Sequence, residues 1–183
     1  MAERAAQRLV QLIRDNQDHL GTGFLGTPQL CTMLTKYGYT DVAYTLIRQT
    51  TPPSWLYPIK MGATTIWEKW LGLLPDRSIN VGSFNHYAYG AVGNWLYRSV
   101  AGIAPDAPGY KRIVIRPMVC DQLQQAEASY ASDYGLISSS WRLSPGKLEM
   151  DVIIPPNTRA KVWIPGHEVV ELGSGQYHFS VSR

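Results

Sequence analysis

A glutamate set among indole rings is the part of this sequence best suited to chemistry. Glu68 lies between Trp67 and Lys69, and Trp70 follows two positions on. Neighbouring indoles partly remove water from a carboxylate, which tends to raise its pKa and suits it to proton transfer near neutral pH. A surface glutamate that pairs with Lys69 or caps a helix turn fits the same spacing. The residue pattern by itself leaves both interpretations open.

His86 is the second candidate, with Asn85 before it and Tyr87 after it. The pattern places it in the first turn of a helix that begins at Ser83, where its ring would face the space ahead of the helix. From there an imidazole can donate to a sugar hydroxyl, or it can bond a loop carbonyl as a structural histidine. His86 and Asn85 are therefore candidate ligand-binding residues.

Three tryptophans near these residues could complete a binding surface, namely Trp55, Trp67 and Trp70. The chain has 11 Tyr and 6 Trp but only 3 Phe, and rings with a polar handle stack and hydrogen-bond at wet surfaces such as sugar sites. A place in the core is the simpler explanation for each tryptophan taken singly. Their interleaving with Glu68 favours a sugar-binding surface.

The composition argues against several other classes of function. Only 17 Lys and Arg stand against 14 Asp and Glu, and the basic residues are scattered, so we expect no nucleic-acid partner. Nucleotide, metal and nucleophilic-serine motifs are lacking, so we expect no cofactor and no metal. No stretch reaches the roughly 18 apolar residues of a membrane span, so we expect no membrane contact. Cys31 and Cys120 lie far apart, which argues against a disulfide framework and predicts a cytoplasmic protein.

The N-terminal part of the chain has helical patterning. Apolar residues recur at helical spacing over residues 3–19, which predicts an amphipathic helix. Thr27 can cap a second helix with Pro28 in its first turn, and Gly38 ends it. Thr40 can cap a third helix, and so short a turn between the two predicts an antiparallel helical hairpin.

The elements that carry the candidate residues follow this hairpin. Residues 55–62 are predicted to be extended or irregular. A short helix over residues 63–71 then carries Glu68. After a loop, a longer helix over residues 83–101 carries His86 in its first turn.

The apolar period changes to two beyond a predicted linker at residues 105–109. Short alternating segments separated by turn signals indicate an antiparallel β-sandwich, and six of them stand out: 113–115, 126–130, 137–143, 148–154, 160–164 and 177–181. The expected fold is an α+β chain in two parts, with a helical domain over residues 1–104 and a sandwich domain over residues 110–183.

Several long and unusual strings resemble the bacterial α-L-rhamnosidases of glycoside hydrolase family 78. They are Gly23-Phe-Leu-Gly-Thr-Pro28, Tyr37-Gly-Tyr-Thr-Asp41, Pro53-Ser-Trp-Leu-Tyr57, Gly62-Ala-Thr-Thr-Ile-Trp-Glu-Lys-Trp70 and Ser83-Phe-Asn-His-Tyr-Ala-Tyr-Gly-Ala-Val-Gly93. Further matches run into the β region, so the resemblance covers essentially the whole chain. It implies the last part of an (α/α)6 catalytic barrel, followed by the C-terminal β-sandwich. Gly82 stands where the family usually has Asn.

The resemblance also implies roles for the candidate residues. The family releases terminal α-L-rhamnose with inversion, and its general base falls on Glu68. His86 matches the histidine that contacts the rhamnose. We expect four more residues to contribute to substrate binding: Trp55, Trp67, Trp70 and Asn85.

Inversion needs a second carboxyl group, a general acid about 6.5–9.5 Å from the base. In the family that acid comes from earlier barrel helices, which this chain is expected to lack. Asp76 lies in a loop where solvation should keep it ionised, so it is not expected to replace the acid. We therefore expect a C-terminal fragment of a rhamnosidase that is inactive by itself and would act on rhamnose-containing glycosides.

A partial barrel would also leave apolar helix faces without their neighbours. Soluble monomers rarely expose large contiguous apolar patches, so we expect self-association through the helical half. The alternative function is a non-catalytic carbohydrate-binding or assembly module, because the Trp and Tyr cluster is present without a complete acid and base pair.

Overall fold

The computed structural model describes all 183 residues and divides them into two compact units, Met1–Gly93 and Asn94–Arg183. The first unit is helical with long irregular connections, and the second consists of β-strands apart from its first residues. None of the helices is both long and apolar enough to cross a membrane.

Three helices open the first unit, as the periodicity predicts: α1 (Ala2–Asp15), α2 (Thr27–Lys36) and α3 (Thr40–Arg48). Helix α1 ends before the predicted limit at residue 19, because Gln17 and Asp18 take φ angles of 55° and 57°, outside the range of a right-handed helix.

The turn between α2 and α3 has the conformation that its sequence predicts. Gly38 has a φ of 85°, which a residue without Cβ adopts readily. The N–H of Tyr39 donates to the carbonyl of Leu34 at 2.9 Å, and the N–H of Gly38 donates to that of Thr35 at 3.2 Å. These two bonds form a Schellman motif and satisfy carbonyls at the end of α2.

The two threonines predicted to cap these helices do not do so. Thr27 and Thr40 are the first residues inside α2 and α3, whose N-cap positions are held by Gly26 and Tyr39 without a side-chain capping bond. The hydroxyl of Thr27 instead donates to the carbonyl of Thr22 at 3.1 Å.

The predicted elements around Glu68 are wrong in two places. The stretch predicted to be irregular contains helix α4 (Leu56–Lys60), where the hydroxyl of Ser54 accepts from the N–H of Tyr57 at 3.1 Å. The predicted helix over residues 63–71 does not form. The N–H of Glu68 and the carbonyl of Ile66 bond to a second segment, residues 83–87, instead of along a helix.

The long helix predicted to begin at Ser83 begins at Ala88 instead. It consists of a 3-10 turn (Ala88–Ala91), a short α5 (Val92–Trp95) and a π-helical turn (Leu96–Val100). His86 therefore precedes the helix and does not lie in its first turn.

The second unit contains eight strands in two four-stranded sheets, ordered β1-β2-β6-β7 and β3-β4-β5-β8. The six predicted strands are confirmed, and two short ones, β1 and β7, were not predicted. Their bounds are β1 Ile103–Pro105, β2 Arg112–Ile115, β3 Gln125–Ser132, β4 Gly135–Ser144, β5 Lys147–Ile154, β6 Arg159–Val162, β7 Val170–Leu172 and β8 Gly175–Ser182. One pair, β2 with β6, is parallel, so the expected antiparallel sandwich holds except at that pair.

Alternating residues of both sheets form one hydrophobic core in the second unit. Its largest member, Trp141, is 2% exposed, and its indole N–H donates to the carbonyl of Val100 at 2.7 Å. Ser139, also buried, donates to the carbonyl of Ala101 at 2.7 Å. These two bonds satisfy carbonyls at the end of the helical stretch, which would otherwise be buried without partners.

Candidate functional site

Two irregular segments of the first unit, residues 64–68 and 83–87, lie side by side. The N–H of Glu68 donates to the carbonyl of Ser83 at 2.9 Å, and the N–H of His86 donates to the carbonyl of Ile66 at 2.8 Å. The hydroxyl of Thr65 donates to the carbonyl of Phe84. This pairing brings the two strongest candidates from the sequence, Glu68 and His86, onto neighbouring segments.

Glu68 is half-buried and held from one side. Its Oε2 accepts a hydrogen bond from the N–H of Ser83 at 2.7 Å, a short contact typical of a charge-assisted bond. It is bonded to this backbone group and makes no ion pair with Lys69. The surface ion-pair interpretation of Glu68 is therefore not supported. A carboxylate anchored through one oxygen keeps lone pairs on the other, which can accept a proton from water.

The ring of His86 is fixed by stacking and by one hydrogen bond. Its Nδ1 accepts from the N–H of Ala88 at 3.2 Å, so the neutral imidazole carries its proton on Nε2 and can donate from there. The ring stacks on Phe24 at 4.8 Å between centroids and on Tyr87 at 5.1 Å, with interplanar angles of 16° and 10°. The alternative of a histidine that donates to a loop carbonyl is not observed.

Tyr89 belongs to this site, although the sequence did not single it out. Its ring stacks on Trp70 with centroids 3.6 Å apart, and its carbonyl accepts from the indole N–H of Trp55 at 2.9 Å. Burial raises the pKa of the Tyr89 hydroxyl, and the negative charge of Glu68 raises it further. The second effect indicates that phenol and carboxylate lie close enough to interact. The one sequence signal was its place three residues after His86.

The three candidate tryptophans differ in their surroundings. Trp55 and Trp67 are buried, and Trp67 packs edge-on against Phe84 at 5.2 Å. Trp70 is half-buried, lies edge-on to Trp55 at 5.4 Å, and has an indole N–H with no hydrogen-bond partner. Trp55 and Trp67 thus lie in the interior beside the site, and the assignment of all three tryptophans to substrate binding stays a prediction.

Asn85 is exposed, and the turn around it is closed by Ser83. The Ser83 hydroxyl accepts from the N–H of Asn85 and donates to its carbonyl, each at 3.1 Å. Gly82, just ahead of this turn, has a φ of 133°, and a Cβ there would lie 2.8 Å from Cγ of Lys69. Glycine at position 82 therefore permits both the backbone conformation and the close approach of the Glu68 segment.

Asp76 lies in the loop that joins the two segments. Its Oδ1 accepts from the hydroxyl of Ser78 at 2.6 Å and from the N–H of Ser78 at 2.9 Å. These bonds to the side chain and backbone of Ser78 lower the pKa of Asp76, as hydrogen bonds to an ionised carboxylate do. An exposed carboxyl of lowered pKa is a poor proton donor near neutral pH.

No cluster of three or more His, Cys, Asp or Glu side chains could hold a metal ion. The chemistry available at this site is that of one anchored carboxylate, one imidazole donor and an aromatic wall.

Two family models match the chain in succession. The bacterial alpha-L-rhamnosidase six-hairpin glycosidase domain matches residues 1–100, and the bacterial alpha-L-rhamnosidase C-terminal domain matches residues 102–179. Among curated relatives, an alpha-L-rhamnosidase of Streptomyces avermitilis is 44% identical over 99% of this chain, and one of Formosa agariphila is 44% identical over 89%.

Solved structures similar to this chain are also α-L-rhamnosidases. The crystal structure of the Streptomyces avermitilis alpha-L-rhamnosidase complexed with L-rhamnose superposes with a TM-score of 0.94 at 44% identity over 98% of this chain. The native Aspergillus terreus α-L-rhamnosidase also gives 0.94, at 45% identity over 98% of the chain. The chain spans only 20% of the Streptomyces avermitilis relative and 18% of that from Formosa agariphila.

Proposed function

The chain belongs to the bacterial α-L-rhamnosidases, and from that premise we propose that its helical unit supplies one side of the site that hydrolyses terminal α-L-rhamnose from rhamnosides. The observation that carries the proposal is the pairing of the Glu68 and His86 segments, which sets an anchored carboxylate and an imidazole donor beside an aromatic wall.

Glu68 is the general base of this proposal. In inverting hydrolysis, a carboxylate removes a proton from the water that attacks the anomeric carbon as the glycosidic bond breaks. The bond from Ser83 to Oε2 orients the carboxylate and leaves Oε1 to accept that proton. Because the carboxylate is only half-buried, a water molecule can reach it.

His86 is the sugar-binding residue. With Nδ1 occupied by the N–H of Ala88, Nε2 donates to a sugar hydroxyl in a direction fixed by stacking on Phe24 and Tyr87. We assign Asn85 and Trp70 to contact with the substrate, and Trp55 and Trp67 to support of that surface.

The general acid is the missing member of the pair. A general acid must be protonated before it acts, and hydrogen bonds from Ser78 lower the pKa of Asp76, which favours its ionised form. We propose that no carboxyl of these 183 residues serves as the acid, and that the chain by itself is inactive or nearly so.

Hydrolysis of an aryl α-L-rhamnoside tests this assignment. We expect the wild-type chain, Glu68→Gln and Asp76→Asn to release the aryl group equally slowly, at the rate of the buffer. Turnover that disappears in Glu68→Gln but persists in Asp76→Asn would show a complete catalytic pair and overturn the claim of a missing acid. Turnover that disappears in Asp76→Asn would identify Asp76 as the acid.

Titration with L-rhamnose tests the binding half of the proposal. Trp70 stacks within the site, so bound sugar should change the tryptophan fluorescence of the wild-type chain. His86→Gln should weaken this response. The matched control is His19→Gln, because both ring nitrogens of His19 already bond within the protein, to Gln17 and Thr51 at 2.7 Å. Equal responses of both variants would refute the role of His86.

The same titration separates the two sugar-binding functions from an assembly role. A chain that binds rhamnose without turnover fits both a catalytic part and a non-catalytic carbohydrate-binding module. A chain that binds neither rhamnose nor a rhamnoside contradicts both, and leaves an assembly role as the better proposal.

Self-association of the helical unit is a second part of the proposal. Large apolar side chains lie exposed on this unit, with Leu25 at 95%, Val81 at 79% and Ile79 at 75%. Light scattering at increasing concentration should show a rising average mass, whereas a constant monomer mass would contradict the proposal.

A reducing cytoplasmic location remains our proposal, supported by Cys31 and Cys120, which are both free.

A further inference from the structure

The β unit has a cavity on its surface that the proposed function does not use. Its volume is about 760 Å³, and its lining includes Lys111, Arg112, Asn157, Arg159 and Glu171. All of these residues belong to the unit Asn94–Arg183, and none takes part in the site around Glu68. An inference about this cavity is therefore independent of the proposed function.

Two arginines lie side by side in the wall of this cavity. Arg112 on β2 and Arg159 on β6 are direct partners in the parallel ladder between these strands. Both are exposed on the same face of the sheet. Like charges on directly paired residues repel and destabilise a sheet, unless something between them compensates.

Protein groups compensate only part of this charge. Asp106 accepts from Nε of Arg112 at 3.3 Å, whereas Arg159 makes no ion pair. Glu171 also lines the cavity, but it makes no ion pair with either arginine. Arg159 is thus left without an ion-pair partner.

Lys111 adds a third cation, and its side chain is fixed in place. Its Nζ donates to the carbonyl of Asn157 at 2.6 Å and lies 4.9 Å from the ring centroid of Tyr134. An ammonium group has three donors, so two remain for a ligand. The planar guanidinium group of Arg159 offers the fork of donors that matches a carboxylate or sulfate.

We propose that this cavity binds the carboxylate or sulfate group of an acidic saccharide, held between the side chains of Arg112 and Arg159. The anion removes the repulsion between the two guanidinium groups and accepts their hydrogen bonds. The sugar ring occupies the rest of the cavity, which is several times the size of a small anion and is also lined by the polar residues Thr158 and Ser174.

Titration of the full chain with D-glucuronate tests this proposal. Amide shifts in ¹H–¹⁵N NMR spectra are followed while glucuronate replaces chloride, so that the ionic strength stays constant. We expect saturable shifts at β2 and β6. Arg159→Gln should weaken glucuronate binding by about tenfold, because one charge-assisted contact is lost. Arg159→Lys, which keeps the charge but not the fork, should fall between.

Arg142→Gln is the matched control, because Arg142 is an exposed arginine on β4 in the other sheet. It should bind glucuronate as the wild-type chain does, and D-glucose should cause no shift. Equal weakening by Arg142→Gln and Arg159→Gln would reduce the effect to net charge and overturn the proposal, as would a lack of saturable shifts.

Inorganic sulfate separates the two parts of the ligand. Sulfate should bind at the same residues more weakly than glucuronate does, because it lacks the sugar ring. If sulfate binds as tightly as glucuronate, the cavity is a site for anions only and the saccharide part of the proposal is wrong.

Discussion

Gly72→Ala is the substitution whose effect on the site can be worked out most directly. A Cβ at position 72 would lie 2.7 Å from Cε3 and 3.0 Å from Cδ2 of Trp67, and 3.2 Å from Cε1 of Phe84. Carbon atoms pack best at about 3.5–4.0 Å, so the Trp67 ring must move. Trp67 precedes Glu68 in the chain, so this movement disturbs the segment that carries the proposed base.

The expected cost follows from the packing around Trp67. The ring is 5% exposed and lies edge-on to Phe84, so it has little room to yield. Overpacking of this kind costs about 1–3 kcal/mol, and we expect the upper half of that range. The loss of backbone freedom in the unfolded chain offsets about 0.4–1 kcal/mol of this cost. The net expectation is a loss of about 1–2.6 kcal/mol in the free energy of unfolding.

Urea unfolding followed by the indole N–H signal of Trp67 reports on the first unit specifically. Gly93→Ala is the matched control, because it adds the same methyl group inside α5 with no atom within 4 Å of the new Cβ. It should stabilise by about 0.5–1 kcal/mol, the preference of a helix for Ala over Gly. If Gly72→Ala leaves the free energy of unfolding unchanged or raises it as Gly93→Ala does, the packing of Trp67 on Gly72 is wrong.

Three further predictions concern single groups. Cys31 is buried, and burial raises the pKa of its thiol to about 12. A thiol reagent near neutral pH should therefore label Cys120 and leave Cys31 unmodified. Mass mapping that finds both cysteines labelled would contradict this prediction. Glu68→Gln should lower the pKa of Tyr89 in an NMR titration, but not to its ordinary value, because burial is the larger cause of the shift. An unchanged pKa would show that the charge of Glu68 does not act on Tyr89. Trp141→Phe should reduce the free energy of unfolding by about 1–3 kcal/mol, because it removes the indole N–H that donates to the buried carbonyl of Val100 at 2.7 Å. An unchanged midpoint of urea unfolding would contradict that hydrogen bond.

The candidate site was predictable in part. The residue types around Glu68 and His86, together with the sequence strings that resemble the rhamnosidases, single out both residues from the sequence. Tyr89 was not singled out, because its role depends on stacking with Trp70 and on the charge of Glu68. Such contacts join residues far apart in sequence and leave no periodic signal.

The sequence by itself determined the elements whose signals are local. Apolar spacing predicted helices α1 to α3 and six strands, and Gly38 marked the turn between two helices, because these features depend on side-chain periodicity and on φ angles of single residues. Local signals failed where the backbone bonds across the chain. Residues 63–71 were predicted to be helical, yet they are irregular, and the N–H of Glu68 and the carbonyl of Ile66 pair with Ser83 and His86. Only that tertiary pairing decided that Glu68 and His86 lie on neighbouring segments.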